Sequence, residues 1–343
     1  MTSTPSPQAS SPGTARSRRV AVIGGGRLAY GALGMVRAAV GAGARFTVQG
    51  FARSDAGRQV LRDGGAVVAD SVAAAVDGAD IVVVCVPAPA LQGLVEEAAT
   101  RATGDQVVLH AARGVGAGFA LPHQVLRAGS CWKKIAVIGG PLYLDDAGSG
   151  RILNAAIASR FDEALAAVRG LVKGAPIRLS ATHDIVGVEL CGALSNVGHL
   201  ATGLAAGAGL SETDQALLHV RALLEAGRFG RAMGAERGTF SGLAGVGDLI
   251  PRRVSSQKKH KDIGHAIAVS GAVGGAGGRD DDDDDVTSTL EGAITAREGV
   301  RFADHHHVDA PLMRAVVAIL DEGKPAGATL KEVLDTDLGL QAA

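Results

Sequence analysis

The sequence has little of what nucleic-acid-binding, disulfide-rich and zinc proteins depend on. Aromatic residues make up 3% of the 343 residues, and the net charge is −1. With few rings to stack on bases and no excess of positive charge, the chain is not expected to bind nucleic acid. Cys85, Cys131 and Cys191 are irregularly spaced. This spacing argues against a disulfide framework and against a metal site, and it favours a reducing compartment.

Long apolar runs are also missing, and the amino terminus has little apolar content. No run approaches the roughly 20 residues that a membrane-spanning helix needs, so we expect a soluble, cytoplasmic protein without a membrane partner. Residues 1–18 are rich in Ser, Thr and Pro and lack the apolar stretch of a secretory signal. They are predicted to form a disordered tail, with a transit peptide as the alternative in a cell that has organelles.

Hydrophobic residues are abundant, at 47% of the chain, and they follow two patterns. From residue 19 to residue 182, short β-branched runs such as IVVVCVP alternate with amphipathic segments. This alternation predicts right-handed βαβ units in a doubly wound, Rossmann-like α/β domain. From residue 183 to residue 335 the periodicity is almost entirely helical, which predicts an all-α second domain.

The helical half is interrupted by residues 271–286, where glycines precede six consecutive aspartates. Like charges repel, and the segment has little apolar surface to bury, so a disordered, solvated loop is predicted. A calcium site is the alternative, but consecutive carboxylates do not have the spacing of known calcium loops.

A glycine-rich turn follows the first predicted strand and opens the first predicted helix. Gly24, Gly26 and Ala29 fit the pattern G-x-G-x-x-G/A in this strand–turn–helix context. The pattern predicts a dinucleotide site, with the pyrophosphate at the helix N-terminus. After the second strand stands Arg53, where an acidic residue would bind the ribose hydroxyls of NAD. Arginine suits a 2′-phosphate, so NADP is favoured and NAD stays open.

The segment from Asp184 to Asp248 predicts the wall of a site. It contains three helical segments dense in glycine and alanine, and small residues let helices approach closely or expose backbone to a ligand. Polar residues stand within or beside its apolar faces, and each needs a partner if it is buried. These residues are Asp184, Glu189, Asn196, Glu225 and Asp248.

From about residue 19 to residue 334 the chain resembles the soluble NAD(P)-dependent glycerol-3-phosphate dehydrogenases. The matching segments are GGGRLAYGAL, VVVCVPAPAL, ARGVG, GGPLYLDD, DIVGVELCGALSN, LLHVRALLEAGRFG, TFSGLAGVGDLI and LEG. The resemblance implies a Rossmann-like domain followed by a helical substrate domain of the 6-phosphogluconate dehydrogenase C-terminal type. It also implies hydride transfer between NAD(P)H and dihydroxyacetone phosphate, giving sn-glycerol 3-phosphate for glycerophospholipid synthesis. It leaves the oligomeric state open, with a homodimer as one alternative.

The resemblance also implies site residues. Two family lysines correspond to Arg113 and Ser195 in this chain, while Asn196 and Asp248 match the family's catalytic centre. The implied cofactor contacts are the turn residues Gly24, Gly26, Arg27, Leu28 and Ala29, together with Arg53, Pro87, Arg113, Leu144, Lys259 and Glu291. The implied contacts of the small phosphorylated substrate are Arg113, Gly140, Leu142, Asp248, Lys258, Lys259 and His260.

The two replaced lysines change the expected chemistry. Reducing a ketone needs a proton and a positive charge near the developing alkoxide. Arg113 supplies the charge but stays protonated, and Ser195 is a poor acid. His199 lies four residues after Ser195, on the same helix face. It is a candidate general acid, and a core histidine bonded to a neighbour is the alternative.

Three functions remain open at this point. The first is the dehydrogenase that the resemblance implies. The second is a paralogue that binds NADP(H) without efficient turnover and acts as a sensor or partner, which the two replaced lysines favour. The third is a dehydrogenase whose phosphorylated or carboxylated substrate is held by the fork of Arg113. The basic segment around Lys258 and Lys259 is interpreted as a phosphate site or as a solvated loop.

Overall fold

The computed structural model describes residues 17–142, 152–250, 256–270 and 283–337, with backbone alone for residues 256–259 and 283–290. Most of the predicted tail, the Gly/Asp-rich segment up to residue 282, and Leu144 lie outside these ranges. The first strand begins at Arg18, inside the predicted tail, and one helix begins at Asp283, inside the segment predicted as a loop.

The described strands form one eight-stranded sheet in the order β3-β2-β1-β4-β5-β6-β7-β8. Strands β1–β8 span, in order, Arg18–Ile23, Phe46–Phe51, Val67–Val68, Ile81–Val84, Val107–His110, Lys134–Gly139, Leu153–Ala158 and Ile177–Thr182. Neighbouring strands are parallel except β6 and β7, which are antiparallel. The predicted doubly wound, Rossmann-like sheet is confirmed, with one antiparallel pair near its edge.

Helices cover both faces of the sheet and form the carboxyl-terminal half. Helices α1–α14 span, in order, Arg27–Gly41, Asp55–Asp63, Val72–Val76, Leu91–Ala98, Pro122–Ala128, Asp162–Leu171, Ile185–Gly207, Glu212–Met233, Arg237–Ser241, Val246–Leu249, Ser256–Ser270, Asp283–His306, Pro311–Asp321 and Ala326–Asp335. The third helical segment predicted before Asp248 is divided into the short helices α9 and α10. The alternation of strands and helices ends at Thr182, and the described helices that follow pack around α7.

Helix α7 is the centre of the helical domain. Its residues from Ile185 to Ala205 are all buried, as expected for a helix that is apolar on every side. One face of α7 packs on β6. A Cβ placed at Gly139 of β6 would lie 2.9 Å from the Val188 side chain of α7. The core on this face of the sheet therefore continues into the helical domain, while a second core lies under α1 and α6.

The glycines of α7 allow α11 to approach at backbone distance. A Cβ placed at Gly203 would lie 2.2 Å from the Lys261 carbonyl oxygen, and one at Gly207 would lie 2.4 Å from the His265 carbonyl oxygen. Any larger residue at either position would separate the two helices. The glycine density noted in the sequence thus has a packing reason.

Helix α7 is the one described helix that is long and apolar enough to cross a membrane. No apolar run of this length was predicted from the sequence. Because 94% of its apolar window is buried inside the protein, α7 serves as the core helix of the folded chain.

Candidate active site

The glycine turn lies at the carboxyl end of β1, where the strand order reverses between β1 and β4. Gly24 has a φ of +121°, and a Cβ there would lie 2.5 Å from the Cys85 carbonyl oxygen, so the turn requires glycine. Gly26 is the N-cap of α1, and no side chain caps this helix. Ala29 is fully buried where α1 packs on the sheet. The turn therefore fits the pyrophosphate of a dinucleotide.

Other predicted cofactor residues follow the same edge of the sheet. Arg53 is exposed two residues after β2 ends, beside the start of α2. Arg27 is exposed at the first position of α1, and Pro87 begins the turn after β4. Leu28 and Leu142 line one apolar cavity between α1 and the ends of β4, β5 and β6. The structure thus places these residues at the carboxyl edge where a dinucleotide binds.

Arg113, Asp248 and Ser195 form a hydrogen-bonded cluster between the two domains. Arg113 Nη1 donates to Asp248 Oδ1 over 2.9 Å, and Arg113 Nη2 donates to Asp248 Oδ2. Arg113 Nη2 also donates to Ser195 Oγ over 2.7 Å, and the Ser195 hydroxyl donates to Asp248 Oδ2 over 2.7 Å. The two positions that hold lysine in the resembled family therefore contact each other and share one carboxylate.

Arg113 is the member of this cluster that a ligand can reach. Its side chain is 25% exposed, whereas those of Asp248 and Ser195 are about 1% exposed. Its guanidinium fork already binds Asp248. A carboxylate substrate held by the same fork would have to displace Asp248, which disfavours that alternative.

The backbone of Arg113 is held by two further residues of the helical domain. Asn196 Nδ2 donates to the Arg113 carbonyl oxygen over 2.8 Å. Glu291 accepts the backbone N–H groups of Arg113 and of Ala88, the latter over 2.7 Å. Burial raises the pKa of Glu291. Side chains of α7 and α12 thus fix the segments that follow β4 and β5.

His199 lies behind this cluster, and no described bond joins it to Ser195. Its Nε2 is 3.4 Å from the Asp248 carbonyl oxygen, and its Nδ1 is 3.4 Å from His219 Nε2. The ring is 1% exposed. Burial and the charges of His219 and Arg113 lower the pKa of His199 well below its usual value. These contacts favour the alternative of a core histidine bonded to its neighbours over the general acid.

Gly140 joins the turn after β6 to the segment that precedes Asp248. It has a φ of +86°, and a Cβ there would lie 2.9 Å from the Leu243 carbonyl oxygen. The next residue, Pro141, lies against α10, since a Cβ placed at Gly247 would be 3.4 Å from its side chain. Leu144, a further predicted contact, lies outside the described residues.

The predicted phosphate residues lie at the start of α11. Lys258 and Lys259 are in its first turn, although the positions of their side chains lie outside the described residues. His260 is 1% exposed, and its ring lies near Gly292, whose added Cβ would be 3.5 Å from it. His260 is therefore a buried neighbour of the segment carrying Glu291.

Sequence reasoning missed a second buried cluster next to the site. Glu189 was predicted to need a partner if buried, but no partner was predicted for it. His110 and His123 were not predicted to take part in a site. All three side chains are in contact around the Glu189 carboxylate. Two signals were present: a histidine that ends the apolar strand β5, and a glutamate within the apolar helix α7.

Comparison with known proteins assigns both halves of the chain. Residues 184–331 match a family profile described as NAD-dependent glycerol-3-phosphate dehydrogenase C-terminus. Residues 19–114 match one described as NADP oxidoreductase, coenzyme F420-dependent. Among solved structures, glycerol-3-phosphate dehydrogenase from Coxiella burnetii superposes with a TM-score of 0.82 at 21% identity, covering 93% of this chain and 99% of that one. This likeness supports the fold.

Curated relatives give the family. A glycerol-3-phosphate dehydrogenase [NAD(P)+] from Dechloromonas aromatica is 35% identical, covering 77% of this chain and 78% of the relative. One from Streptomyces avermitilis is 34% identical, covering 76% of this chain and 77% of the relative. The two matches extend over 270 and 269 residues. The chain therefore belongs to the NAD(P)-dependent glycerol-3-phosphate dehydrogenase family.

Proposed function

We propose that this protein transfers hydride between NAD(P)H and dihydroxyacetone phosphate, giving sn-glycerol 3-phosphate. The observation that carries the proposal is the placement of Arg113. Its guanidinium is fixed by Asp248 and Ser195 at the carboxyl edge of the sheet, on the edge that also holds the dinucleotide turn. The substrate follows from relatives at 32–35% identity that are named glycerol-3-phosphate dehydrogenases.

In this reaction the bound nicotinamide cofactor supplies the hydride. Arg113 places its positive charge beside the oxygen that becomes an alkoxide, and a fixed charge in a partly buried site stabilises that oxygen strongly. Asp248 and Ser195 orient the guanidinium, and Asn196 and Glu291 hold its backbone. Arg113 therefore needs little reorganisation when charge develops.

The site is less well equipped to donate a proton than to stabilise the alkoxide. Arg113 stays protonated at any ordinary pH, and the Ser195 hydroxyl is buried and donates to Asp248. The proton then comes from solvent water. General acid catalysis contributes about 10²–10⁴-fold, so we expect turnover to be slower than that of family members with both lysines by a factor in this range.

The start of α11 is proposed to bind the substrate phosphate. Lys258 and Lys259 occupy its first turn. Lysine ammonium groups bind phosphate as point charges even without the fork of arginine. Two adjacent lysines also favour a phosphorylated substrate over a neutral sugar.

The cofactor is proposed to be NADP(H), because exposed Arg53 follows β2 where a 2′-phosphate is recognised. Arg53→Ala should reduce the preference for NADPH over NADH about 10-fold, since one charge-assisted hydrogen bond contributes about 1.5 kcal/mol. Fluorescence titration with both cofactors measures this. An unchanged preference in Arg53→Ala would reject Arg53 as the discriminating residue.

The function is tested by NAD(P)H oxidation with dihydroxyacetone phosphate, with cofactor binding measured in parallel. We expect turnover in the wild type and loss of at least about 100-fold in Arg113→Ala. Arg127→Ala, an exposed arginine of α5, is the matched control. Cofactor binding without turnover would support the NADP(H)-binding paralogue instead, and neither binding nor turnover would overturn both functions.

Assembly and location belong to the same proposal. We propose a homodimer in the cytoplasm, in keeping with a chain that is nearly neutral and has few cysteines. Light scattering of the purified protein tests the dimer, and a monomer over the working concentration range would exclude it. Cell fractionation tests the location.

A further inference from the structure

A buried carboxylate on α7 joins the helical domain to two separate segments of the nucleotide domain. Glu189 is 1% exposed. His110 Nε2 lies 2.8 Å from Glu189 Oε1, and the backbone N–H of His123 donates to the same oxygen over 2.8 Å. His123 Nδ1 lies 2.5 Å from Oε2. Both oxygens therefore have partners, and both partners come from the other domain.

Glu189 is ionised, and each of the two histidines contacts it through one ring nitrogen. Burial alone would raise the pKa of Glu189, but hydrogen bonds and charge from His110 and His123 lower it overall. An ionised carboxylate only accepts hydrogen bonds, so Nδ1 of His123, which is hydrogen-bonded to it, carries a proton. His110 Nε2 faces Oε1 at ion-pair distance. The nitrogen through which each histidine contacts Glu189 is thereby assigned.

The two histidines stand at the two ends of the segment that carries Arg113. His110 is the last residue of β5, and His123 is in the first turn of α5. Residues 111–121 lie between them. The middle of this segment is held through Arg113 by Asn196 and Glu291. Glu189 thus fixes both ends of a segment whose centre reaches the reacting atoms.

We propose that Glu189, His110 and His123 are positioning residues that hold Arg113 where it stabilises the alkoxide. The proposal rests on the function proposed above. A charged group stabilises a transition state only if it stays within about 0.5 Å of the productive position. Loss of either histidine also removes a close contact of a buried carboxylate, which favours rearrangement of the segment.

The two contacting nitrogens, Nε2 of His110 and Nδ1 of His123, make the test specific. The amide nitrogen of glutamine lies where Nε2 of histidine lies, and that of asparagine lies where Nδ1 lies. His110→Gln should therefore keep kcat within about 3-fold of the wild type, and His110→Asn should lower it about 10–100-fold. The pattern reverses at the other histidine, so His123→Asn should be tolerated and His123→Gln should not.

Two controls separate positioning from general loss of structure. The Kd for NADPH should stay within about 2-fold in every variant, because the glycine turn is not part of this cluster. His183→Gln and His183→Asn should both leave kcat unchanged, since His183 is 59% exposed and pairs with exposed Asp162. Equal kcat values for His110→Gln and His110→Asn, or a preference opposite to the expected one, would overturn the proposal.

Hydrogen exchange keeps this test separate from that of the function. Amides in residues 111–121 should exchange faster in His110→Asn than in His110→Gln, whether or not the wild type turns over dihydroxyacetone phosphate. A wild type without turnover but with this exchange pattern rejects the proposed function and retains the positioning role. Turnover with equal exchange in the two variants rejects the positioning role alone.

Discussion

Asp248 and Glu189, at the interface between the domains, are held differently from Glu225 in the interior of the helical domain. At the interface, Asp248 binds Arg113, and Glu189 contacts two histidines that lower its pKa. Inside the helical domain, Glu225 on α8 is 1% exposed. It accepts the backbone N–H groups of Leu312 and Met313 at the start of α13.

The difference shows that hydrogen bonds alone do not keep a buried carboxylate acidic. Burial raises the pKa of Glu225 to about 7, although its two backbone donors oppose this rise. Glu189 is equally buried, but its partners include two histidine rings. Asp248 and Glu189 have side-chain partners where the two domains meet. Glu291 at the same interface instead resembles Glu225, because it accepts backbone N–H groups and its pKa is raised by burial.

The largest change is expected from replacing Arg113 by lysine and adding a second cation at Ser195. The double variant Arg113→Lys/Ser195→Lys places two ammonium groups beside Asp248, and a buried lysine has its pKa lowered toward neutrality and can deliver a proton. We expect kcat with dihydroxyacetone phosphate to rise about 10²–10⁴-fold. Steady-state assays from pH 7 to 10 measure it, with Arg113→Lys alone as the control. An unchanged kcat in a folded double variant would contradict the role assigned to these positions.

Removing the interface charge should have the next largest effect. Asp248→Asn keeps the shape but leaves Arg113 without its carboxylate, so kcat should fall about 10²-fold. Unfolding should become easier by about 2 kcal/mol, less than for a fully buried pair because Arg113 is 25% exposed. Denaturant titration and turnover measure both. Asp335→Asn, an exposed residue of α14, is the control, and equal behaviour of the two variants would reject the prediction.

Glu225, the interior carboxylate, should make the free energy of unfolding depend on pH. Since the folded pKa of Glu225 is about 7 and its usual value is 4.5, the folded protein retains a proton that the unfolded chain loses. Its contribution to stability is therefore present below pH 4.5 and is lost as pH rises through 7. Between pH 5 and pH 8 the loss is about 2–3 kcal/mol.

Glu225→Gln stays neutral at all pH values and should remove this part of the pH dependence. Urea unfolding at pH 5 and pH 8 measures the difference between the two chains. Glu212→Gln, at the exposed start of the same helix, should keep the wild-type slope. A wild-type slope in Glu225→Gln would show that the group does not titrate near 7.

The smallest effect is expected where the carboxylate is exposed. Arg297 binds Asp321 through two nitrogens, with both side chains about one-third exposed. The hydrogen bond from Arg297 lowers the pKa of Asp321, so the pair stabilises the fold above the usual pKa of Asp and loses this contribution as pH falls. Arg297→Ala should cost about 0.5 kcal/mol at pH 7. If denaturant titration showed that Arg297→Ala lowers the free energy of unfolding by more than about 2 kcal/mol, the ion pair would stabilise the fold strongly despite its exposure.

Local patterns in the sequence predicted the parts of the fold that depend on neighbouring residues. Short β-branched runs predicted the strands, and the glycine turn predicted the first crossover. The apolar periodicity after Thr182 predicted the helical domain. The antiparallel pairing of β6 and β7 was not predicted. Strand direction depends on how distant segments meet, and periodicity contains no information about that.

The candidate site was predicted only in part for the same reason. Arg113 and Asp248 are 135 residues apart, and their contact cannot be read from spacing. Family resemblance named both residues but did not show that Arg113 and Ser195 share the carboxylate of Asp248. His199 was placed on the correct helix face, yet its partners, the Asp248 carbonyl and His219, come from other helices.

The glycine contacts between α7 and α11 have a mechanical consequence. These helices cross with backbone against backbone at Gly203 and Gly207, so their separation is set by atoms that no rotamer change can move. Ser195 lies about 12 Å along α7 from Gly203, and the lysines that begin α11 lie near the same crossing. The distance between the proposed alkoxide site and the proposed phosphate site is therefore set by backbone atoms, and we expect it to limit the length of the substrate that both sites can hold together.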